Sequence, residues 1–247
     1  MSRSFYCIGL VIAVATIVLL GAEPAAAQSV NLDFGQGGSA TARIVQLVVL
    51  LTVLTLAPSI LVMVTSFTRI VIVLSLLRTA LGTQGAPPNS VLVSLALFLT
   101  FFIMAPTLQQ SYQQGIQPLM AEQIDEFEAF DRAMKPLTAF MLKHVREKDL
   151  LMFVELSGTT PENPEATPLH VLIPAFIISE LRRAFEIGFL IFVPFLVLDM
   201  VVASVLMSMG MMMLPPIMIS LPFKLIFFVL VDGWYLVAGS LVQSYGA

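Results

Sequence analysis

The sequence of 247 residues is strongly apolar and weakly charged: 58% of its residues are hydrophobic, 11% are charged, and the net charge is -4. Soluble domains carry about 25% charged residues, so composition excludes an ordinary soluble fold and predicts an integral membrane protein. The longest basic cluster is the pair Arg182-Arg183, which excludes the extended positive surface that nucleic acid requires.

The first 27 residues have the organisation of a cleavable signal peptide. Arg3 precedes an apolar stretch from Phe5 to Ala22, and the small residues Ala25 to Ala27 follow the helix-breaking Pro24. This order predicts cleavage after Ala27 rather than a permanent membrane anchor. The mature chain would then begin outside the cytoplasm with a short polar segment, residues 28–43.

Residues 44–106 are predicted to form a first helical hairpin. The run between Arg43 and Arg69 is uncharged and long enough to cross about 30 Å of hydrocarbon at about 1.5 Å per residue. A second apolar run follows the loop at 82–89, whose glycines and prolines are expected to break the helix. Arg69 and Arg78 then fall near the cytoplasmic tip, in agreement with the positive-inside rule.

Residues 107–168 are predicted to form a polar extracytoplasmic helical domain. They include ten acidic and five basic residues. Apolar residues recur at helical intervals from Met120 to Val145, as one buried helix face would require. Pro136 is expected to divide this stretch into two helices. The charged residues between the apolar positions are interpreted as a solvated face, and no site is assigned there.

Residues 169–247 are predicted to form a second helical hairpin with a methionine-rich loop. The turn is expected at 213–216, where two prolines stop the helix. A simple four-span topology would place Arg182 and Arg183 toward the outer side, against the positive-inside preference. This segment is therefore not expected to be an ordinary lipid-facing span. The predicted fold class is an all-α membrane protein of two helical hairpins flanking a polar helical domain.

Charged residues interrupt this second hairpin, although they are costly in hydrocarbon and are expected to face protein or water. Arg182 and Arg183 precede Glu186 by four and three residues, so they can pair with it along one helix face. A structural salt-bridge cluster or subunit contact is favoured over a proton or ion relay. The candidate residues are Glu180, Arg182, Arg183, Glu186 and Lys224, and Asp199 and Asp232 lie in the same hairpin.

Five methionines fall within seven residues just before the predicted turn: Met207, Met209, Met211, Met212 and Met213. Methionine is unbranched and adaptable, so a ring of such side chains could seal a pore and reshape around a passing chain. The same residues could equally be core filler at the end of a hairpin. The sequence alone leaves both interpretations open.

Motifs of enzymes, metal sites and cofactor sites are missing from the sequence. It contains no G-x-S-x-G, H-E-x-x-H or Walker-type motif. His144 and His170 show no ligand spacing, and the single cysteine, Cys7, lies in the segment predicted to be removed. The chain is therefore predicted not to be an enzyme and to use neither a metal nor a cofactor.

Distinctive stretches occur along most of the chain, at residues 58–70, 76–78, 88–89, 95–100 and 176–189, and from Asp199 through the methionine-rich segment to Lys224. The stretch at 176–189 reads FIISELRRAFEIGF. In these stretches the sequence resembles the FliP family of flagellar export proteins, which is similar to the SctR subunits of injectisomes. The resemblance covers nearly all of the chain from Ala57 to Trp234, and the signal peptide also fits the family.

The resemblance implies a pore-forming and gating subunit of the flagellar type III protein export apparatus. Several copies would assemble with FliQ-like and FliR-like subunits into a tapering gate at the bacterial inner membrane, partly on its periplasmic side. Unfolded export substrates, other export apparatus proteins and membrane lipid would be its partners. The resemblance also assigns the five methionines to a gasket that closes the pore. The alternative from the residues is a small-solute or ion transporter that uses the arginine and glutamate cluster.

Overall fold

The fold is that of a computed structural model, which describes residues 40–83, 85–159, 161, 163–211 and 215–246. The chain divides into two units, Met1–Thr52 and Val53–Ala247. The described part of the first unit is the beginning of helix α1 (Ala40–Met63), where Ile44 and Val45 are exposed. The predicted signal peptide and its cleavage site lie outside the described residues.

The described residues form helices, turns and loops without a β-strand, which confirms the predicted all-α class. A π-helical turn at Tyr112–Ile116 and a 3₁₀ turn at Pro164–Ala166 connect longer elements. After α1 the helices are α2 (Phe67–Leu81), α3 (Asn89–Ser111), α4 (Gln117–Met120), α5 (Glu126–His144), α6 (Glu147–Ser157), α7 (Leu169–Ser208), α8 (Pro216–Leu230) and α9 (Gly233–Gln243).

Two helical stretches of the described chain are long and apolar enough to cross a membrane, Asn89–Met120 and Leu169–Ser208. A third span is possible if α8 and α9, which are bent by 62° at the break between them, act together. The 40 residues of α7 correspond to about 60 Å at about 1.5 Å per residue, twice a hydrocarbon thickness of about 30 Å. A helix of this length that crossed a membrane along its normal would extend well beyond the hydrocarbon on at least one side.

Helix α2 is the centre of the core. Its buried residues include Ile70, Val73, Leu74 and Leu77, which share one face at helical spacing. This face packs along α7 and also contacts α3. Gly82 ends the helix in the left-handed conformation, with φ 72°, and its amide donates to the Thr79 carbonyl. The predicted loop at 82–89 therefore lies between two helices, as expected.

The expected course of the first hairpin is wrong at Arg69. Helix α1 ends at Met63 and α2 begins at Phe67, so the uncharged run is not one helix, and Arg69 lies on the buried face of α2 near its start rather than near the loop after Leu81. The break coincides with Thr65, whose hydroxyl donates to the Val62 carbonyl at 3.0 Å and accepts from the Phe67 amide at 3.4 Å. Such local hydrogen bonds compete with the helical ladder.

The expected division of the polar domain at Pro136 is also wrong. Helix α5 runs through Pro136 to His144, and it begins at an N-cap where Asp125 accepts from the Glu128 amide at 2.7 Å. Proline removes one helical hydrogen bond, but Pro136 is buried beside Leu137 on the packed face of α5. Packing on this face therefore outweighs the loss of one bond. The helix also starts later than the apolar pattern indicates, because Met120 belongs to α4.

A glycine permits the close approach of the π-helical turn to α5. A Cβ atom at Gly115 would lie 2.6 Å from the Ala129 carbonyl oxygen and 2.8 Å from the Ala133 amide nitrogen. Both neighbours are backbone atoms, so no side-chain rotation can relieve the clash. A Cβ atom at Gly239, in α9, would meet nothing within 4 Å.

Gly115→Ala should therefore destabilise the protein, whereas Gly239→Ala should leave it unchanged or slightly more stable. Overpacking of a core contact typically costs about 1 to 3 kcal/mol, and alanine is favoured over glycine within a helix by about 0.5 to 1 kcal/mol. Thermal unfolding of the two purified variants in detergent measures the difference. Equal midpoints for the two variants would show that α5 is not held as closely as the structure indicates.

Candidate functional site

The most enclosed charged group of the described chain is the ion pair between Arg69 and Glu180. Arg69 Nε donates to Glu180 Oε2 at 2.9 Å and Nη2 donates to Oε1 at 2.5 Å, and both side chains are 0% exposed. This two-point geometry is the strong form of an arginine–carboxylate pair. It joins α2 to α7 at positions 111 residues apart.

Residues that follow α9 complete the same cluster. Arg69 Nη1 donates to Ser244 Oγ at 2.9 Å, and the Tyr245 hydroxyl donates to Glu180 Oε2. The guanidinium carbon of Arg69 lies 3.9 Å from the centre of the Tyr245 ring, within range of a cation–π contact. Burial, and then the charge of Glu180, raise the pKa of Tyr245, so its phenol remains a proton donor.

His144 lies against this cluster from the end of α5. Its ring centre is 4.7 Å from that of Phe140 and 5.0 Å from that of Tyr245. Burial lowers the pKa of His144 to about 4, and the charge of Arg69 acts in the same direction. His144 is therefore neutral at ordinary pH and serves as a packing residue.

A second polar contact secures α6 to α7. The Ser179 hydroxyl accepts from the Arg146 amide at 3.0 Å and donates to Asp149 Oδ2 at 2.7 Å. Ser179 is fully buried and adjoins Glu180 in sequence. One turn of α7 therefore contacts the polar domain through Ser179 and the core of α2 through Glu180.

The exposed pair on α7 differs from the buried pair. Arg182 Nε donates to Glu186 Oε1 at 2.9 Å, as the four-residue spacing predicts, but the two side chains are 58% and 57% exposed. Arg183 is only partly exposed, and its Nε is buried without a hydrogen-bond partner among the described residues. Arg182 and Glu186 therefore form an exposed pair, whereas Glu180 is buried on the same helix.

Lys224 belongs to a third charged group. Its Nζ donates to Asp199 Oδ2 at 2.7 Å and to the Ala80 carbonyl at 3.2 Å. Ser220 also donates to this carboxylate, from Oγ to Oδ1 at 2.6 Å. The five candidate charged residues thus do not form one cluster, because Glu180 pairs with Arg69, Arg182 with Glu186, and Lys224 with Asp199. Arg69, Ser244 and Tyr245 are not among the site residues predicted from the sequence, because their partners are distant in the chain.

The methionine-rich segment continues from the end of α7. Met207 and Met209 are each 57% exposed, and Met211 is 47% exposed. The helix ends at Ser208, and Gly210 has φ 74° with nothing within 4 Å of a Cβ atom placed there. Met212 and Met213 lie outside the described residues. The side chains of Met207, Met209 and Met211 are about half exposed, so they do not fill the core of the isolated chain.

No group of three or more histidine, cysteine, aspartate or glutamate side chains in the described part of the chain could hold a metal ion. The charged groups instead bind one another or backbone carbonyls. The fold and the site thus define the class: an all-α protein with two helices in its described part that are long and apolar enough to span a membrane, and whose buried charges join distant parts of the chain.

Comparison with known proteins gives the family. The model of the FliP family matches residues 50–241. The chain is 61% identical over 236 residues to the flagellar biosynthetic protein FliP of Caulobacter vibrioides, covering 95% of this chain and 89% of the relative. It is 59% identical over 202 residues to the protein of the same name from Bacillus subtilis, covering 81% and 91%. A third relative of that name, from Aquifex aeolicus, is 48% identical over 233 residues, covering 93% and 98%. The chain belongs to the FliP family, which confirms the resemblance found in the sequence.

Glu180→Gln should destabilise the protein far more than Glu186→Gln. Removing one charge of a buried pair typically costs about 3 to 5 kcal/mol because the other charge loses its partner, whereas an exposed pair contributes about 0 to 1 kcal/mol. Thermal unfolding of the purified variants in detergent measures both effects. Similar losses at the two positions would contradict the difference in burial between the two pairs.

Protonation of His144 should make stability depend on pH. Because its pKa in the folded state, about 4, is below the ordinary value of about 6.5, the unfolded chain binds a proton first as pH falls. Its contribution to stability is complete above about pH 6.5 and decreases from there toward pH 4. His144→Gln should therefore reduce the loss of melting temperature between about pH 7.5 and about pH 5. His170→Gln, at an exposed position, should retain the loss, and equal behaviour of both variants would refute the assignment.

Proposed function

We propose that this chain is a pore-forming and gating subunit of the flagellar type III protein export apparatus, needed for export of flagellar proteins and flagellum assembly. Its membership of the FliP family supports the flagellar role. The observation that carries the gating role is the exposure of Met207, Met209 and Met211 at the end of the longest helix. The proposed role is mechanical and includes no chemical step.

The methionine segment is proposed to be the gasket of the closed pore. Several copies of the chain would each contribute Met207, Met209, Met211, Met212 and Met213 to a ring. Thioether side chains are long and adaptable, so they can fill an irregular opening and move aside for a passing chain. Gly210, which has a left-handed backbone, lies between the exposed Met209 and Met211. No other atom lies within 4 Å of a Cβ atom placed at Gly210, so the backbone is open at this point of the segment.

The proposed partners are further copies of the same chain, FliQ-like and FliR-like subunits, other export apparatus proteins and membrane lipid. The exposed ion pair of Arg182 and Glu186, with the partly exposed Arg183 beside it, supports a contact between subunits on this part of α7. An exposed pair contributes little to the isolated chain, so a neighbouring subunit could use it without disturbing the fold. The proposed location is the bacterial inner membrane at the flagellar basal body, with parts on the periplasmic side.

Met209→Ala combined with Met211→Ala should make the assembled gate leak. Alanine is too short to close a ring, and because both methionines are exposed at a helix end, the fold should survive. The measurement is the ion conductance of a planar bilayer that contains the purified complex. Export of flagellar proteins by cells that carry the double variant should be retained in part. Met218→Ala, an equally exposed methionine on α8, is the matched control and should stay tight.

Recovery of the variant in a complex of parental size must accompany the conductance measurement. An assembled double variant that conducts no more than the Met218→Ala control would refute the gasket. It would leave the family membership and the flagellar role unaffected.

A further inference from the structure

The contacts of Lys224 join three helices at one point. Its ammonium donates to Asp199 on α7 and to the carbonyl of Ala80 in the last turn of α2, while Lys224 itself lies on α8. Ser220, one turn earlier on α8, donates to the other oxygen of the Asp199 carboxylate. The Lys224 side chain is 6% exposed and that of Asp199 is 34% exposed.

The end of α2 provides a favourable place for this ammonium. Carbonyls in the last turn of a helix lack helical partners and carry the negative end of the helix dipole. A cation that binds such a carbonyl satisfies it and is stabilised by the dipole. Lys224 Nζ also lies within 4.0 Å of a Cβ atom placed at Gly82, which ends α2. The ammonium is therefore held by the aspartate and by the helix end together.

Asp199 on α7 and Lys224 on α8 lie at similar distances from the end of the second hairpin that carries the methionines. The two helices are the arms of this hairpin, and the contacts of Lys224 are the junction between them and α2. Asp199 precedes the end of α7 at Ser208 by nine residues, and Lys224 follows the start of α8 at Pro216 by eight. At about 1.5 Å per residue, both are about 13 Å behind the methionine-bearing end. A fixed point at equal depth on both arms determines how far apart the arms are and where they stand relative to α2.

We propose that Asp199 and Lys224 are positioning residues that fix the second hairpin against the end of α2 and thereby set the position of the methionine segment. The consequence for the pore rests on the function proposed above. The positional part concerns the described helices alone. The two parts can be tested separately.

The hydrogen bond from Lys224 to the Ala80 carbonyl distinguishes this three-helix contact from an ordinary ion pair. Reversing the charges with Asp199→Lys and Lys224→Asp would restore an ion pair between α7 and α8. It would also replace the ammonium beside the Ala80 carbonyl with a shorter, negatively charged side chain, so this carbonyl would lose its donor at the negative end of α2. Lys224→Arg keeps a cation with several donors and should preserve both contacts, with Asp199 and with the Ala80 carbonyl. Rescue by arginine but not by reversal is the signature of a three-helix junction.

The experiment measures distances between spin labels in the assembled complex, with each labelled copy diluted by unlabelled copies. Labels at Thr79→Cys on α2 and Ile217→Cys on α8 occupy exposed positions, in a background in which Cys7 is replaced by serine. Lys224→Met and the charge reversal should shift and broaden the distance distribution. Lys224→Arg should match the parent. Arg132→Met, which breaks an exposed ion pair on α5, should match it as well.

Conductance of the same complexes completes the test, and leak is expected wherever the distance changes. An altered distance without leak would uphold the positioning role and count against the proposed gasket. An unchanged distance in Lys224→Met, or a parental distance in the charge reversal, would overturn the inference. If Lys224→Met does not assemble, Asp199→Asn carries the same test, because it removes the charge from the more exposed partner.

Discussion

The burial of Arg69 opposite Glu180 is the constraint on which the rest of the structure depends. Taking two charges out of water costs several kcal/mol for each ion, and their attraction offsets that cost only when every remaining donor and acceptor is also satisfied. Here Ser244 and Tyr245 provide these further contacts from the far end of the chain. Helix α2, helix α7 and the residues after α9 must therefore come together for the pair to be tolerated.

Sequence reasoning succeeded where a local rule governs the structure. Composition predicted the helical membrane class, and the glycines and prolines of residues 82–89 predicted the loop between α2 and α3. It failed where tertiary contacts override a local rule: packing keeps α5 intact through Pro136, and Arg69 lies buried near the start of α2 rather than near the tip of the first hairpin. A charge in an apolar segment signals a partner, but the partner of Glu180 is 111 residues away. A single sequence contains no signal that connects such positions.

The charged residues of the apolar segments fall into two kinds, and the difference is physical. Glu180 and Lys224 are enclosed and have partners within the chain, so their contribution is to hold the helices in place. Arg182 and Glu186 pair on the exposed surface of α7, where side-chain entropy opposes the attraction. A pair of this second kind does little for the isolated chain. The same segment of α7 thus serves the fold on one face and presents an exposed ion pair on another, which is the face proposed above for a subunit contact.

A seal of adaptable side chains requires a frame that does not adapt. Methionine can follow the outline of a moving substrate because its thioether chain has three rotatable bonds, but a ring of such chains closes only if the backbone beneath them returns to one position. In the proposed gate, loose packing of α7 and α8 would let the ring open whatever its side chains did. The proposal assigns these demands to two parts of the hairpin: the seal to the exposed Met207, Met209 and Met211, and the frame to the buried ammonium shared among α2, α7 and α8. Adaptable side chains in the proposed seal therefore depend on a fixed frame, whose contacts are made by charged groups rather than by the apolar surface around them.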